Sequence, residues 1–120
     1  MKKTINLYLD DLRDCPTGFS IARTVAECKE YFKKYNINIL SLDHDLGADE
    51  NGKLLQSGYD FVKYFCENGL YAKKIYLHTD NVVGKMNMYE TLLSAQKHGF
   101  IKNDIEIYPY PFVRNKYYNN

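Results

Sequence analysis

Leu40-Ser41-Leu42-Asp43-His44-Asp45-Leu46-Gly47 decides how this chain folds. An apolar run from Ile37 to Leu42 is short and apolar enough for a central strand, and it stops abruptly on groups that ionise or bind metal. The same event occurs twice more. Ile5 to Leu9 ends on Asp10-Asp11-Leu12-Arg13, and Lys73 to Leu77 ends on His78-Thr79-Asp80-Asn81. If these three strands are parallel neighbours, their polar ends converge on one rim. Carboxylates brought that close repel one another unless a cation or a shared proton lies between them. The pattern therefore predicts a polar, metal-bearing site.

The segments between these runs read as helices and one further strand at each side. Phe19 to Ala22 is a short strand after the turn cluster Asp14-Cys15-Pro16-Thr17-Gly18. Thr24-Val25-Ala26-Glu27 matches a capping box and opens a helix with Val25, Cys28, Phe32 and Tyr35 on one face, ending near Asn36. Ser57-Gly58-Tyr59-Asp60 starts a second helix that buries Phe61, Val62, Phe65 and Cys66 and ends at Asn68-Gly69. A third begins near Gly84-Lys85, carries Met88, Leu92, Leu93 and Ala95, and finishes at His98-Gly99. Ile105 to Tyr108 is a last strand, which Pro109 and Pro111 cannot extend. Helices alternating with short buried strands predict one α/β domain over residues 1–120. Its mostly parallel sheet is expected to be covered on both faces, with a frayed polar tail over 113–120. Ligands of such sheets bind beyond the carboxyl ends of the strands, where all three polar clusters lie.

Composition narrows the partners. Sixteen basic residues against fifteen acidic give a formal net charge of +1, too little for the whole molecule to draw in duplex DNA or an anionic membrane. Any anion must be held locally. Three cysteines, an odd number without metal-ligand spacing, read as reduced thiols. With no signal-peptide pattern after Met1-Lys2-Lys3-Thr4 and no apolar run long enough for a membrane span, a cytoplasmic protein is expected.

The quoted motifs resemble a known family. Asp10 and Asp11 closing the first strand, Asp43 closing the third and Thr79 closing the fourth resemble the receiver domains of two-component signalling. That resemblance implies a flavodoxin-like fold with strand order 2-1-3-4-5 and, in this chain, about three helices. More specifically, Leu9 to Arg13, Ser41 to Gly47, His78 to Asn81 and Gly84-Lys85-Met86-Asn87-Met88 are similar to receiver-like domains predicted to process cyclic phosphates. The likeness runs from about Leu7 to Gly99. Three departures from ordinary receivers stand out. Tyr108-Pro109 occupies the place of a lysine that would pair with a phosphoryl group, the Asp14 to Gly18 turn replaces the first helix, and the last helix is missing.

The residues fit that chemistry. Asp10, Asp11, Asp43 and Asp45 are candidate oxygen ligands for Mg²⁺ or Mn²⁺, which also bind phosphate oxygens. His44 and His78 are absent from ordinary receivers. An imidazole can activate water or protonate a leaving oxygen near neutral pH, or bind a softer metal instead. Asp43 is either a metal ligand or a nucleophile. Arg13 and Lys85 are candidate phosphate clamps, while Thr79, Asn81 and Asn87 are placed to orient the substrate. Each has a plainer alternative: a turn cap for an aspartate, a hydrogen-bonded histidine, an ion pair of Arg13 with Asp10 or Asp11, solvated charge for Lys85. Tyr108, Tyr110 and Phe112 can stack on a base or pack at the sheet edge. The expected function is a metal-dependent phosphoesterase that opens a cyclic phosphate at an RNA 2′,3′-cyclic end or in a cyclic nucleotide. Two alternatives remain: a module that captures a cyclic nucleotide without cleaving it, and an atypical receiver phosphorylated on Asp43.

Overall fold

A computed structural model of the chain describes residues 2–113. Five strands form one sheet: β1 (Thr4–Leu9), β2 (Phe19–Ala22), β3 (Asn36–Leu42), β4 (Ala72–Leu77) and β5 (Glu106–Tyr108). Their order is β2-β1-β3-β4-β5 and every pairing is parallel. Three helices connect them: α1 (Val25–Lys34), α2 (Gly58–Glu67) and α3 (Val82–Lys97). The architecture is the receiver-like one expected. The frayed tail expected over 113–120 falls, apart from exposed Val113, outside the described residues. Among the described residues no helix is long and apolar enough to cross a membrane.

Side-chain alternation assigns the two faces. Leu7, Leu9, Leu40, Leu42, Ile75 and Leu77 are essentially inaccessible and share a core with Cys28, Phe61, Phe65, Met88 and Leu92 of the helices. The intervening positions, Tyr8, Ser41 and Tyr76, face the other way. Among the described residues the expectation of helices on both faces is not met. The steps β2 to β3, β3 to β4 and β4 to β5 all move across the sheet in one direction, so right-handed crossovers put α1, α2 and α3 on one side. In keeping with this, α2 packs against both α1 and α3. Only β1 to β2 moves the opposite way, and its connection is a turn. The helix-free face is instead covered by aromatic rings. Phe112 crosses it to pack 5.2 Å from Phe19 on β2 and 5.3 Å from Tyr76 on β4, while Tyr108 stacks on Tyr76 at 4.9 Å. Tyr108 and Phe112 thus pack at the sheet.

Capping follows the sequence with two adjustments. Thr24 accepts the Glu27 amide at 3.1 Å, but the Glu27 carboxylate takes the Arg23 amide rather than that of Thr24. Ser57 and Asp60 make the full reciprocal box. Helix α3 starts at Val82, two residues before the predicted Gly84, because the Asn81 side chain caps it by accepting the Gly84 amide at 2.8 Å.

The start of α2 fixes the exit of β3. The Gly58 amide donates to the His44 carbonyl at 2.8 Å, and a β-carbon at Gly58 would stand 1.9 Å from the Asp43 carbonyl oxygen. Backbone opposes backbone there, so no rotamer change relieves the clash. Gly58→Ala is therefore expected to destabilise the fold by about 1–3 kcal/mol, read as a lower urea midpoint. An unchanged midpoint would mean that α2 does not seat on Asp43.

Candidate active site

The register of the three central strands brings their ends level. Leu9 pairs with Leu42 and Leu42 with Leu77, so the next residues, Asp10, Asp43 and His78, stand side by side at the carboxyl rim. One ligand-capable atom from each lies within 4.8 Å of the other two. All three are buried: Asp10 is 1% exposed, His78 3% and Asp43 8%.

His78 ties the group together. Its Nε2 lies 3.0 Å from Asp10 Oδ2 and its Nδ1 2.7 Å from Ser41 Oγ. An ionised carboxylate only accepts, so Nε2–H donates to Asp10 and Nδ1 accepts the Ser41 hydroxyl proton. The ring stacks on Tyr8 with centroids 4.1 Å apart. Ser41, on the strand between them, is small enough to let the two rings meet. Burial pushes the imidazole down from 6.5 to about 4, although the hydrogen bond and charge of Asp10 oppose it. His78 is a neutral positioning group with both nitrogens engaged.

The two carboxylates are pushed apart in acidity. Burial alone would raise Asp10, but the Arg13 and Leu12 amides on Oδ1, at 3.0 and 2.9 Å, together with His78, hold it below its ordinary value. Burial raises Asp43 above its ordinary value; the Thr79 hydroxyl and the His44 amide, at 2.8 Å, offset this only in part, and the Asp10 charge adds to the rise. Thr79 Oγ also accepts the Asn81 amide at 3.1 Å, which links Asp43 to the α3 cap.

His44 is placed quite differently. It is partly exposed; its Nδ1 lies 2.9 Å from Asp45 Oδ1 and 3.4 Å from the Asn81 amide nitrogen. Its ring lies against the first turn of α3, where a β-carbon at Gly84 would come within 2.5 Å of it. Nδ1–H donates to Asp45, which also accepts from the Asn81 side chain at 3.3 Å, so Asp45 orients His44 and leaves its Nε2 without a hydrogen-bond partner among the described residues. Asp45 is exposed and stands outside the Asp10–Asp43–His78 group, as does Asp11, whose Oδ2 faces Gly47 of the β3–α2 loop.

Arg13 is committed to the protein. It donates to the His78 carbonyl at 2.9 Å, pairs with Asp80 at 2.8 Å and lies 3.9 Å from Asp10. Lys85 is half-buried in the second turn of α3. Asn87 is not brought to the rim and lines a groove between α2 and α3 with Tyr59 and Cys66. His98 caps the far end of α3. Three contributors carried no role in the sequence reading: Ser41, Tyr8 and Arg23, which donates to the carbonyls of Arg13 at 2.9 Å and Asp10 at 3.4 Å. A serine inside the apolar run Ile39 to Leu42 was the available signal for the first.

Carboxylate oxygens suit Mg²⁺ or Mn²⁺, and the donor set fits such an ion. Asp10 Oδ2 and the Asp43 carboxylate both keep acceptor capacity beyond the bonds above. His78 would then hold Asp10 in place from behind.

The His78 shift also fixes a pH dependence. The unfolded imidazole takes a proton near 6.5 and the folded one only near 4, so stability is complete above 6.5 and falls as pH drops through that window. The loss is at most about 3 kcal/mol. Urea midpoints measured with chelator present should fall across the window, and His78→Gln should flatten the slope. A wild-type midpoint that stays level would remove the buried neutral ring.

Comparison with known proteins identifies the family. The family model for the cyclic-phosphate processing receiver domain matches residues 5–94, which include β1 through most of α3 and all the residues of the rim. No curated protein and no solved structure gives a significant match. The paired acids after β1, the aspartate after β3 and the two histidines thus stand inside the matched span, and the chain belongs to the cyclic-phosphate processing receiver domains.

Proposed function

We propose that this protein is a metal-dependent phosphoesterase that opens a cyclic phosphate, at an RNA 2′,3′-cyclic end or in a cyclic nucleotide. The observation that carries the reading is the convergence of two buried carboxylates, Asp10 and Asp43, at a rim where the residue after Asp43 is His44, partly exposed and paired with Asp45. Asp10 and Asp43 would hold Mg²⁺ or Mn²⁺. When bound, the ion neutralises charge on the phosphate oxygens and makes its water more acidic.

Hydrolysis adds one water across a ring P–O bond. The new P–O bond comes from the water, the ring bond to the sugar oxygen breaks, and one proton moves from the water to the departing oxygen. His44 is the imidazole available to carry it, with Nδ1 on Asp45 and Nε2 free. His78, sealed between Ser41 and Asp10, keeps Asp10 aimed. Thr79 and Asn81 fix Asp43 and His44 relative to each other. A second reading is favoured by the Asp43–Thr79 hydrogen bond, which also suits an aspartate that accepts a phosphoryl group. Tyr108, where a receiver lysine would stand, argues against it.

Incubation with nucleoside 2′,3′- and 3′,5′-cyclic phosphates and Mn²⁺ or Mg²⁺, followed by phosphorus NMR, tests the proposal. His44→Ala should lower turnover about 100-fold or more with little change in melting temperature. Gly84→Ala, whose methyl displaces the His44 ring, should do much the same. His78→Ala should lower turnover and stability together. Ligand recovered intact with every metal would leave a capturing module, and acyl phosphate on Asp43 from a small phosphodonor would leave the second reading.

A further inference from the structure

Apolar side chains left in water gather at the rim that carries the site. Leu12 (82% exposed), Leu54 (81%) and Val83 (72%) are the most exposed of them, and Leu55, Val82 and Met86 are exposed on the same connections. They come from all three connections that leave the central strands. Those connections are knitted together: Arg13, next to Leu12, pairs with Asp80 at 2.8 Å, just before α3. Asn81 donates to Asp45 at 3.3 Å, and the Leu55 amide donates to the Gly47 carbonyl at 3.0 Å. Gly47 in turn faces the Asp11 carboxylate. Single exposed leucines are ordinary, but several arranged around a buried polar cluster mark a place where a ligand lies. The aromatic residues after β5 are less available, since Tyr108 and Phe112 already pack on Tyr76 and Phe19.

We infer that this aliphatic collar grips the base of a nucleotide whose cyclic phosphate lies over Asp10 and Asp43, so that a base-free cyclic phosphate is a poor ligand. The inference rests on the phosphoesterase reading for the place of the phosphate. On that reading the occupant presents an anion next to a flat apolar surface, because the exposed aliphatic side chains lie on the connections that leave Asp10 and Asp43, the residues that would hold the ion, and Lys85 follows Val82 and Val83 there. A nucleotide has both parts. Aliphatic side chains offer no donor or acceptor pattern, so the collar holds any base by its face and discriminates little among them.

Calorimetric titration in Mn²⁺ with adenosine 2′,3′-cyclic phosphate and with glycerol 1,2-cyclic phosphate, the same ring without a base, tests this. Wild type should bind the nucleotide about tenfold tighter or more. The double variant Leu12→Ser, Val83→Ser should lose that margin and bind the glycerol ester unchanged; both positions are exposed, and an unaltered melting temperature certifies the fold. Equal affinity of wild type for the two esters, a margin that survives in the double variant, or binding of neither would overturn the collar. A margin without ring opening by any metal would keep the collar and remove the phosphoesterase. Ring opening of both esters at equal kcat/KM would do the reverse.

Discussion

From the end of β4, the His78 ring reaches across β3 to the carboxylate that ends β1, taking the Ser41 hydroxyl on the way. The contact works only if three conditions hold together. The strands must pair in the observed parallel register, the residue on β3 must be small, and the ring must be neutral at the pH of use. Each buried hydrogen bond to a charged group contributes about 1.5–3 kcal/mol, and losing one partner leaves the other stranded in a dry interior. The sheet register, the Ser41 side chain and the direction of Asp10 are thus coupled through a single imidazole.

That coupling matters because the sheet is one-sided. Receivers place helices on both faces, whereas this chain replaces one with the Asp14 to Gly18 turn and ends β5 on prolines. The aromatic layer of Tyr8, Phe19, Tyr76, Tyr108 and Phe112 covers the bare face and stacks directly under His78 at Tyr8. These five rings therefore cover the face that the described helices leave bare. Their ring contacts support the site from below, and Tyr110, 52% exposed, is more open to solvent than Tyr108 and Phe112.

Much of this was legible in the sequence because the cues were local. An apolar run that ends on aspartate marks a strand end, and Ser57 followed by Asp60 marks a helix start, whatever surrounds them. Strand order came from the resemblance. What escaped was set by tertiary contact. His44 and His78 both follow apolar runs and looked equivalent; one is sealed and one is open because Leu77 continues the strand into the interior while His44 lies in the loop beyond Asp43. Arg23, between a strand and a cap, has no motif to announce that its guanidinium reaches two carbonyls of the first loop. Asn87 drew notice through the Gly84 to Met88 motif, and the fold sets it in the groove between α2 and α3. The one-sided placement of the helices follows from crossover handedness once strand order is known, so that error was avoidable.

The unequal acidity of Asp10 and Asp43 bears on how the proposed reaction would respond to pH. Asp10 is held ionised by two amides and His78, while Asp43 is driven toward its protonated form by burial and by the charge beside it. A dication among these oxygens would favour the ionised form of both carboxylates. Metal and proton would then compete for Asp43, and affinity for the ion would weaken as pH falls. Asp10 would hold its side of the ion throughout, and Asp43 would set the point at which it is released. Thr79 and the His44 amide, the two donors on Asp43, work against that burial and repulsion and so favour the carboxylate that an ion would need.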